Sequence, residues 1–385
     1  MSKHSEGHNI DISEVLGTFS SIADPRKSRA VRHVFEEMLF IALASIIAGA
    51  EGFVDMEEFG KSKKTWLESF LTLPKGIPSH DAFGDLFALL DPEEFNTAFV
   101  EWTQDVRKTI SKEVIAIDGK AIRRSHDKNK AKSMVHTVSA WAAQNRIVLG
   151  QLATEEKSNE IKAIPKLLKL LHLENCVVTI DAMGTQKEIA SQIIDQKADY
   201  ILSLKKNHET FHAEVKELME DIPTLLEMKA KGARLDSYTE EAKAHGRNEK
   251  RTCIALQKTD WFREEWQWKG LKSLVMIERH RKESKQSPWT IERHFYLTSL
   301  EANAEDLATM IRDHWGIENS LHWVLDVNYK EDQCRARTGH AASNLSTLRK
   351  WTLNLFRQAS GSNSLRSKQK KAAWSHDYLL KVLNF

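Results

Sequence analysis

Apolar residues recur at helical spacing through the first quarter of the chain. From Ile12 to Lys108 they return every three or four positions, and turn-forming residues divide the run into several short helices. Residues 32–47 are the most continuously apolar of these, which predicts the central helix of an all-α domain over residues 1–109. Ser79 is predicted to cap a helix that runs through Leu90.

The next helix is predicted to begin at Asp91-Pro92, because proline is favoured in the first turn of a helix. Two short helices joined by a tight turn are typical of a helix-turn-helix. However, residues 1–109 carry 11 Lys or Arg against 18 Asp or Glu, and the second helix lacks a row of basic residues. We therefore favour a packing or assembly role for this domain, with DNA-end binding as the alternative.

Short β-branched runs replace the helical pattern after residue 112. Three runs are predicted to form a meander of strands, and two helices then alternate with two further strands. Crossovers of this kind join parallel strands, so the pattern predicts an α/β fold with a mixed sheet flanked by helices. The predicted strands are 113–118, 135–142, 147–153, 176–180 and 200–204, and the predicted helices are 161–171 and 186–196.

A segment of different character interrupts this α/β domain, which we assign to residues 110–360. At about residues 205–300 a charged helix and three apolar runs predict a β-rich insertion. Its tryptophans either fill the core of the insertion or stack on unpaired bases. The predicted strands of the insertion are 251–256, 271–278 and 294–300, and its tryptophans are Trp261, Trp266, Trp268 and Trp289. After the insertion, helices are predicted at 304–325 and 345–357, and a basic tail at 361–385.

Composition narrows the class of protein. With 41% apolar residues the 385-residue chain can fill several cores, and its three separated cysteines indicate neither a disulfide scaffold nor a zinc ribbon. The longest apolar run, 38–50, is too short to cross a bilayer. These features predict a soluble cytoplasmic protein with no membrane partner.

The formal net charge of +2 conceals a strong asymmetry along the chain. Residues 330–385 hold 11 Lys or Arg and only 3 Asp or Glu. Such a basic end favours a polyanionic partner, although a lysine-rich terminus is often no more than a solvated one.

Two of the predicted strands end in an aspartate. Asp118 follows one buried apolar run, and Asp181 follows a second strand that is expected to lie beside the first. Sites in open α/β sheets form at this carboxyl edge, although Asp before a small residue is also a common turn. Because both strands share the feature, we interpret both acids as functional.

A third acid lies in the run from His314 to Trp323. On a continuous helix Glu318 lies at the border of the apolar face, where a carboxylate is costly unless it is paired or binds a cation. Three such acids are the hard oxygen ligands that Mg²⁺ or Mn²⁺ take, and two ions about 3.5–4 Å apart can catalyse in-line phosphoryl transfer. A zinc site of His314, Glu318 and His322 is an alternative, but ligands spread over about 12 Å of straight helix converge poorly.

Basic residues adjoin these acids and predict contacts with a phosphate backbone. One cluster follows Asp118 and another follows the strand after Asp181, at the same edge of the predicted sheet. Each cluster alone is typical of a solvated loop, whereas their recurrence favours DNA. Trp315 and Trp323, beside Glu318, are interpreted as packing against the sheet. The candidate DNA-binding residues are Lys120, Arg123, Arg124, Lys205, Lys206, Asn207, Arg247, His314, Asn319 and His322.

Four stretches occur in a recognisable order: Asp118-Gly119-Lys120, Thr179 to Gln186, His314 to Trp323, and Leu325-Asp326-Val327. This order resembles the DDE insertion-sequence transposases of the H-repeat-associated type, over roughly residues 10–360. The resemblance implies an RNase H-like core with a β-strand insertion between the second Asp and the Glu. It also implies that Asp118, Asp181 and Glu318 form a catalytic triad that binds Mg²⁺ or Mn²⁺.

The same resemblance implies cutting at the terminal inverted repeats of an insertion element, joining of the freed 3′ ends to target DNA, and a homodimer on paired ends. The alternative is a catalytically silent or domesticated DNA-binding protein that keeps the fold. Related transposases carry Tyr, Arg and Lys at three positions that here hold Ile311, His314 and Leu325. Lys330 and Arg335 are the nearest candidates to replace the missing lysine.

Overall fold

Nine strands form one mixed sheet in the computed structural model, which describes residues 12–27, 31–107, 113–126, 133–154, 159–244, 247–257, 267–282 and 287–384. The strands are β1 (Val114–Ile122), β2 (Val135–Ala142), β3 (Ile147–Thr154), β4 (Val177–Ile180), β5 (Asp199–Leu204), β6 (Leu235–Ala244), β7 (Arg247–Gln257), β8 (Ser273–Lys282) and β9 (Thr290–Thr298). Their spatial order is β3-β2-β1-β4-β5-β9-β8-β7-β6. The pairs β1–β4 and β4–β5 are parallel, and the other neighbours are antiparallel.

Helices pack on both faces of this sheet. The N-terminal helices are α1 (Ser13–Ser20), α2 (Phe35–Ile47), α3 (Phe53–Ser62), α4 (Lys64–Leu67), α5 (His80–Leu89) and α6 (Pro92–Arg107). The later helices are α7 (Glu160–Leu170), α8 (Lys187–Asp195), α9 (Glu209–Glu220), α10 (Ile222–Ala230), α11 (Ala304–His314), α12 (Trp323–Val327), α13 (Ala341–Gln358), α14 (Leu365–Trp374) and α15 (His376–Leu383). The meander β1 to β3 with crossovers to β4 and β5 is the RNase H-like arrangement, so the predicted fold class is confirmed.

The N-cap predicted at Ser79 is present, and Asp91 caps the next helix, which begins at Pro92 as predicted. Ser79 Oγ accepts a hydrogen bond from the Ala82 amide at 3.3 Å, and Asp91 Oδ1 accepts from the amides of Glu93 and Glu94 at 2.8 and 3.0 Å. These bonds satisfy amides that the helix itself leaves unpaired. The short polar side chains therefore set where α5 and α6 begin.

The register of the central strands decides where the aspartates lie. β1 and β4 pair in parallel from Val114 opposite Val177 to Ile117 opposite Ile180, so Asp118 and Asp181 are the next residues of the same register. Asp181 follows the end of its strand, as predicted. The prediction that β1 ends at Asp118 is wrong, because β1 continues along β2 to Ile122.

The β-rich insertion extends the central sheet instead of forming a separate one. Its last strand, β9, pairs antiparallel with β5, and β8, β7 and β6 follow outward. The edge strand β6 was not predicted, because its sequence is mostly polar and such a strand shows little hydrophobic alternation. Trp268 is buried and Trp289 is 49% exposed, whereas Trp261 and Trp266 lie outside the described residues.

Helix α13 joins the N-terminal helices to the sheet. The ring of Trp351 contacts four aromatic rings of α1 and α6, with centroids between 5.4 and 5.9 Å away. On the other side, the Asn354 amide accepts from the Val148 amide at 2.9 Å and donates to its carbonyl at 2.7 Å, which pairs the free edge of β3. The all-α region and the α/β domain therefore share one hydrophobic core.

The basic C-terminal segment is folded. Where a basic tail was predicted, α14 and α15 pack into the N-terminal core through Leu379, Val382 and Leu383. Lys368 Nζ donates to the carbonyls of Phe356 and Ala359 at 2.9 and 2.7 Å, which satisfies the C-terminal end of α13. Across the described residues, no helix combines the length and the apolar character that a membrane crossing needs.

Candidate functional site

The segment that carries Glu318 is not the continuous helix predicted from the sequence. α11 ends at His314, and residues Glu318–His322 form a π-helical turn before α12 begins. Trp315 interrupts the helical backbone, and Gly316 and Ile317 are helical again before the π-helical turn. π-Helical turns are often found at functional sites. Here the side chain of Glu318 is 55% exposed and lines a cavity, while Ile317 is fully buried.

Glu318 meets both aspartates in this cavity. Asp118, Asp181 and Glu318 all line one space of about 160 Å³, with Lys205 and His314 in its wall. The three acids come from β1, from the residue after β4 and from the π-helical turn. The structure therefore brings together acids that are separated by more than half the chain.

Asp118 is the most confined of the three acids. Its Oδ1 accepts a hydrogen bond from the Gly119 amide at 2.8 Å. Burial raises the pKa of Asp118 to about 7, and the charges of Glu318, Asp181 and Glu160 raise it further against the opposing effect of that amide. Neighbouring negative charges of this kind are relieved by a bound cation. A divalent ion therefore fits this site electrostatically.

His322 converges on the same carboxylates. Its Nδ1 lies 3.5 Å from Asp118 Oδ2 and 3.9 Å from Glu318 Oε2, and ligand atoms of the three residues all lie within 4.8 Å of one another. Among the described residues this is the group whose donors can share one metal ion. The zinc set of His314, Glu318 and His322 is thus not the one that converges.

Asp181 has a counterion of its own. Lys205 Nζ donates to Asp181 Oδ1 at 2.8 Å, and both side chains are about half exposed. Burial opposes ionisation of Asp181, but the Lys205 contact and the Ala182 amide outweigh it, so the pKa is lowered. Asn207 Nδ2 donates to the Ala182 carbonyl at 2.6 Å and fixes the loop that follows. Within the protein, Lys205 and Asn207 therefore position Asp181 and the loop that follows it.

Neither histidine near the acids is an exposed cation. Burial lowers the pKa of His314 to about 4, and its Nδ1 lies 2.9 Å from Thr179 Oγ1 on β4. Burial, with the charges of Lys350 and Lys120, lowers the pKa of His322 to about 3. Both rings are neutral at neutral pH. A neutral ring can still donate one N–H but adds no positive charge, and the phosphate contacts predicted for both residues stay predictions.

Lys120 does not lie on a surface that DNA can reach. Its residue is 8% exposed, and its ammonium lies 2.7 Å from Asp326, 2.9 Å from Glu331 and 3.5 Å from Asp332. The predicted DNA contact at Lys120 is therefore wrong. Lys120 points to the same face of β1 as Asp118, two residues before it, which turns the side chain inward toward α12.

Other predicted DNA contacts do lie at the surface. Arg123 reaches Asp332 at 3.2 Å while its side chain stays 81% exposed, and the carbonyl of Arg124 accepts from Arg337 Nε at 3.1 Å. Lys206 and Asn319 are exposed. Their roles stay predictions, as does that of Arg247, whose side chain lies outside the described part of the chain.

Two tryptophans beside the acids were misread from the sequence as packing residues. Trp315 is 52% exposed and Trp323 is 57% exposed, and the first of them lines the cavity that holds Glu318. On a regular helix both residues already lie about 120–160° around the axis from Ile317 and Leu321. Their exposure therefore agrees with helical spacing, and interpreting them as packing residues was the error.

A fourth acid was missed altogether. Glu160, the first residue of α7, packs so closely on Gly119 that a Cβ there would lie 2.6 Å from the Glu160 carboxyl carbon. Its charge contributes to the raised pKa of Asp118. No sequence motif surrounds Glu160 at the start of α7. Only its contact with Gly119 in the fold shows that it lies near Asp118.

Comparisons with known proteins identify the family. The family model described as "DDE_Tnp_1-associated" matches residues 16–103, and the family model described as "Transposase DDE domain" matches residues 109–355. This chain belongs to the DDE transposase family. "Putative transposase YncI" of Escherichia coli O157:H7 is 40% identical to it over 377 residues, which are 97% of this chain and 95% of that protein.

A second relative confirms the resemblance to the H-repeat-associated transposases. "H repeat-associated putative transposase YhhI" of Escherichia coli K12 is 36% identical over 379 residues, which are 97% of this chain and 98% of the relative. Among solved structures, the piggyBac transposase synaptic complex with hairpin DNA covers 97% of this chain and 79% of its own, at 12% identity and a TM-score of 0.40.

The departures from the transposase motif have distinct positions in the structure. Ile311 and His314 lie in the wall of the acid cavity, and Leu325 is fully buried. Lys330 and Arg335, the suggested replacements for the missing lysine, line a different cavity of about 550 Å³ that none of the three acids borders. The assignment of either residue to the lysine's role therefore has no support from the geometry.

Proposed function

We propose that this DDE transposase cuts DNA at the terminal inverted repeats of an insertion element and joins the freed 3′ ends to target DNA. The observation that carries the proposal is the single cavity lined by Asp118, Asp181 and Glu318. Such carboxylates are the ligands that Mg²⁺ or Mn²⁺ take at phosphoryl-transfer sites. Bound there, two divalent ions would supply Lewis acidity to the attacking and leaving oxygens.

The chain's own residues have separate tasks in this proposal. Asp118, Asp181 and Glu318 would hold the cation. Lys205, which pairs with Asp181 and has a half-exposed side chain, would contact a phosphate at the rim of the cavity. Water access is limited on the inner side, where His322 and Ile311 are buried.

The DNA partner in this proposal lies along the exposed side of the acids. Arg123, Arg124 and Lys206 are exposed cations on the segments that follow β1 and β5. Phosphate contacts of this kind position a duplex without reading its sequence. We place the protein with the DNA in the cytoplasm, and two copies of the chain on a pair of ends.

The test uses the purified full chain, an end sequence taken from the element's own inverted repeats, and Mg²⁺ or Mn²⁺. We expect nicking at the end and joining to a target plasmid. Asp118→Asn, Asp181→Asn and Glu318→Gln should each abolish both steps, whereas Glu305→Gln, an exposed acid of α11, should leave them unchanged. Size-exclusion chromatography with light scattering on the DNA complex tests the dimer.

Two results decide between the proposal and its alternative. Equal cleavage by the chain and by Asp118→Asn would show that another nuclease is responsible. Tight, sequence-specific binding to the end without any cleavage in either metal would identify a silent DNA-binding protein that keeps the fold.

A further inference from the structure

His322 closes a triangle with the two carboxylates that face it. Its ring lies at the last residue of the π-helical turn, with 9% of the side chain exposed. Nδ1 is 3.5 Å from Asp118 Oδ2 and 3.9 Å from Glu318 Oε2. A buried imidazole thus points into a pair of carboxylates that come from separate parts of the fold.

We propose that Nδ1 of His322 is a direct ligand of the divalent cation held by Asp118 and Glu318, so that the site has a mixed nitrogen and oxygen donor set. The inference rests on the proposed function, since it concerns the same cation. It adds a ligand to the three acids and changes which metal the site prefers.

The distances are longer than direct hydrogen bonds and near those of shared ligation. Donors bound at about 2.1 Å to one octahedral ion lie about 3.0 Å apart when adjacent and about 4.2 Å apart when opposite. Shifts of about 0.5 Å or less bring the 3.5 and 3.9 Å separations to an adjacent and an opposite pair. Hydrogen bonds from a ring N–H to a carboxylate are typically about 2.7–3.2 Å long. The ring is therefore too far from either carboxylate for a good hydrogen bond and close enough for a shared ion.

The other ring nitrogen is also consistent with a metal-bound imidazole. A ligand Nδ1 leaves the proton on Nε2, and metal-bound histidines usually donate that N–H to a carboxylate, carbonyl or water. His322 Nε2 is buried and has no hydrogen-bond partner among the described residues. Glu331 Oε1 is buried and likewise has none, and the Glu331 charge acts on the His322 ring. Among the described residues Nε2 thus keeps its proton without an acceptor, while Arg349 Nη1 lies 3.9 Å from Glu331 Oε1.

Ligation by His322 predicts a metal preference. Imidazole nitrogen binds Mn²⁺ and later transition ions, whereas Mg²⁺ and Ca²⁺ strongly favour oxygen. The site should therefore bind Mn²⁺ more tightly than Mg²⁺ because of this one ring. A site built from the acids alone would show a much smaller difference.

The experiment measures Mn²⁺ on the full chain without DNA. Titration by electron paramagnetic resonance gives the affinity, and electron spin echo envelope modulation detects a nitrogen bound to the ion. We expect nitrogen modulation in the wild type and in His314→Asn, whose ring lines the same cavity. His322→Asn should lose the modulation and bind Mn²⁺ about 10–100-fold more weakly, with Mg²⁺ competition changed much less.

A second measurement covers the case in which His322→Asn fails to fold. Wild type and His314→Asn are prepared with ¹⁵N-labelled histidine, and the modulation should change to the ¹⁵N pattern in both. Bound Mn²⁺ without nitrogen modulation would overturn the inference and leave the proposed function standing. Failure of the wild type to bind Mn²⁺ at all would overturn the metal site of the proposed function together with this inference.

Discussion

The Lys120 ammonium lies 2.7 Å from the Asp326 carboxylate and joins the strand of Asp118 to the helix that follows Glu318. Glu331, fully buried, accepts from the same ammonium at 2.9 Å. Because Lys120 is two residues beyond Asp118, and Asp326 belongs to the helix directly after the π-helical turn, this contact ties together the segments that carry Asp118 and Glu318.

Replacing Lys120 by Met should destabilise the protein and impair cleavage. The change removes the Lys120 charge that pairs with the buried carboxylate of Glu331. Breaking a buried ion pair typically costs about 3–5 kcal/mol. Urea unfolding measures the stability, and metal-dependent nicking measures the activity. Lys120→Arg keeps the charge and should lose less of both. Unchanged stability in Lys120→Met would contradict the structural role assigned to this contact.

Gly119→Ala should displace Asp118. A Cβ at this position would lie 2.6 Å from the Glu160 carboxyl carbon, so either the strand or α7 must shift. A displacement of about 1 Å at a reacting centre can cost about 100-fold in rate. The matched control is Gly17→Ala in α1, where a Cβ meets nothing within 4 Å. Shortening the opposing side chain should restore activity in the double variant Gly119→Ala, Glu160→Ala; no rescue would argue against the steric cause.

The affinity of the metal-free protein for Mn²⁺ should depend on pH through Asp118. Its pKa, raised to about 7, means that below neutrality a proton must leave before the ion binds. Affinity should therefore fall about tenfold per unit as pH decreases below 7 and level off above it. Titrations between about pH 5.5 and 8 measure this. A flat profile would show that Asp118 is already ionised throughout.

The same carboxylate should affect stability in the opposite sense. An Asp whose folded pKa lies above its unfolded value binds more protons when folded, so the metal-free protein loses stability as pH rises from about 4 to 7. Asp118→Asn should remove that slope and stabilise the metal-free protein by about 1–3 kcal/mol at pH 8. Urea unfolding in a chelator tests this, with added Mn²⁺ expected to stabilise only the wild type.

Trp315→Ala and Trp323→Ala should weaken DNA binding without destabilising the fold. Both rings are more than half exposed, Trp315 lines the cavity that holds Glu318, and stacking of a base on such a ring is worth about 1–3 kcal/mol. Fluorescence anisotropy with end DNA should show about 5–150-fold weaker binding. Trp374 is 78% exposed on α14 and lines none of the acid cavity, so Trp374→Ala is the control. Equal losses of DNA binding in all three variants would contradict specific stacking on Trp315 and Trp323.

Local pattern was enough to predict the elements and two of the acids. Alternating strands and helices imply parallel pairing, and the parallel register of β1 and β4 places Asp118, inside β1, beside Asp181, the residue after β4. Short-range side-chain bonds also predict helix starts, as at Ser79 and Asp91. These features depend on neighbours a few residues apart, which a sequence displays directly.

Contacts between distant segments decided the rest. Lys120 was interpreted as one of several basic residues that contact DNA. Only the fold shows that it forms an ion pair with Asp326, which lies 206 positions later in the chain. Likewise, Trp315 was interpreted as packing although it is exposed, and only the fold shows that His322 on the π-helical turn lies 3.5 Å from Asp118. The sequence by itself determined the central strands, most of the helices and the order of the three acids, but not β6, α14 or α15. Tertiary structure alone decided which charged side chains are buried, because burial depends on partners that hydrophobic spacing does not encode.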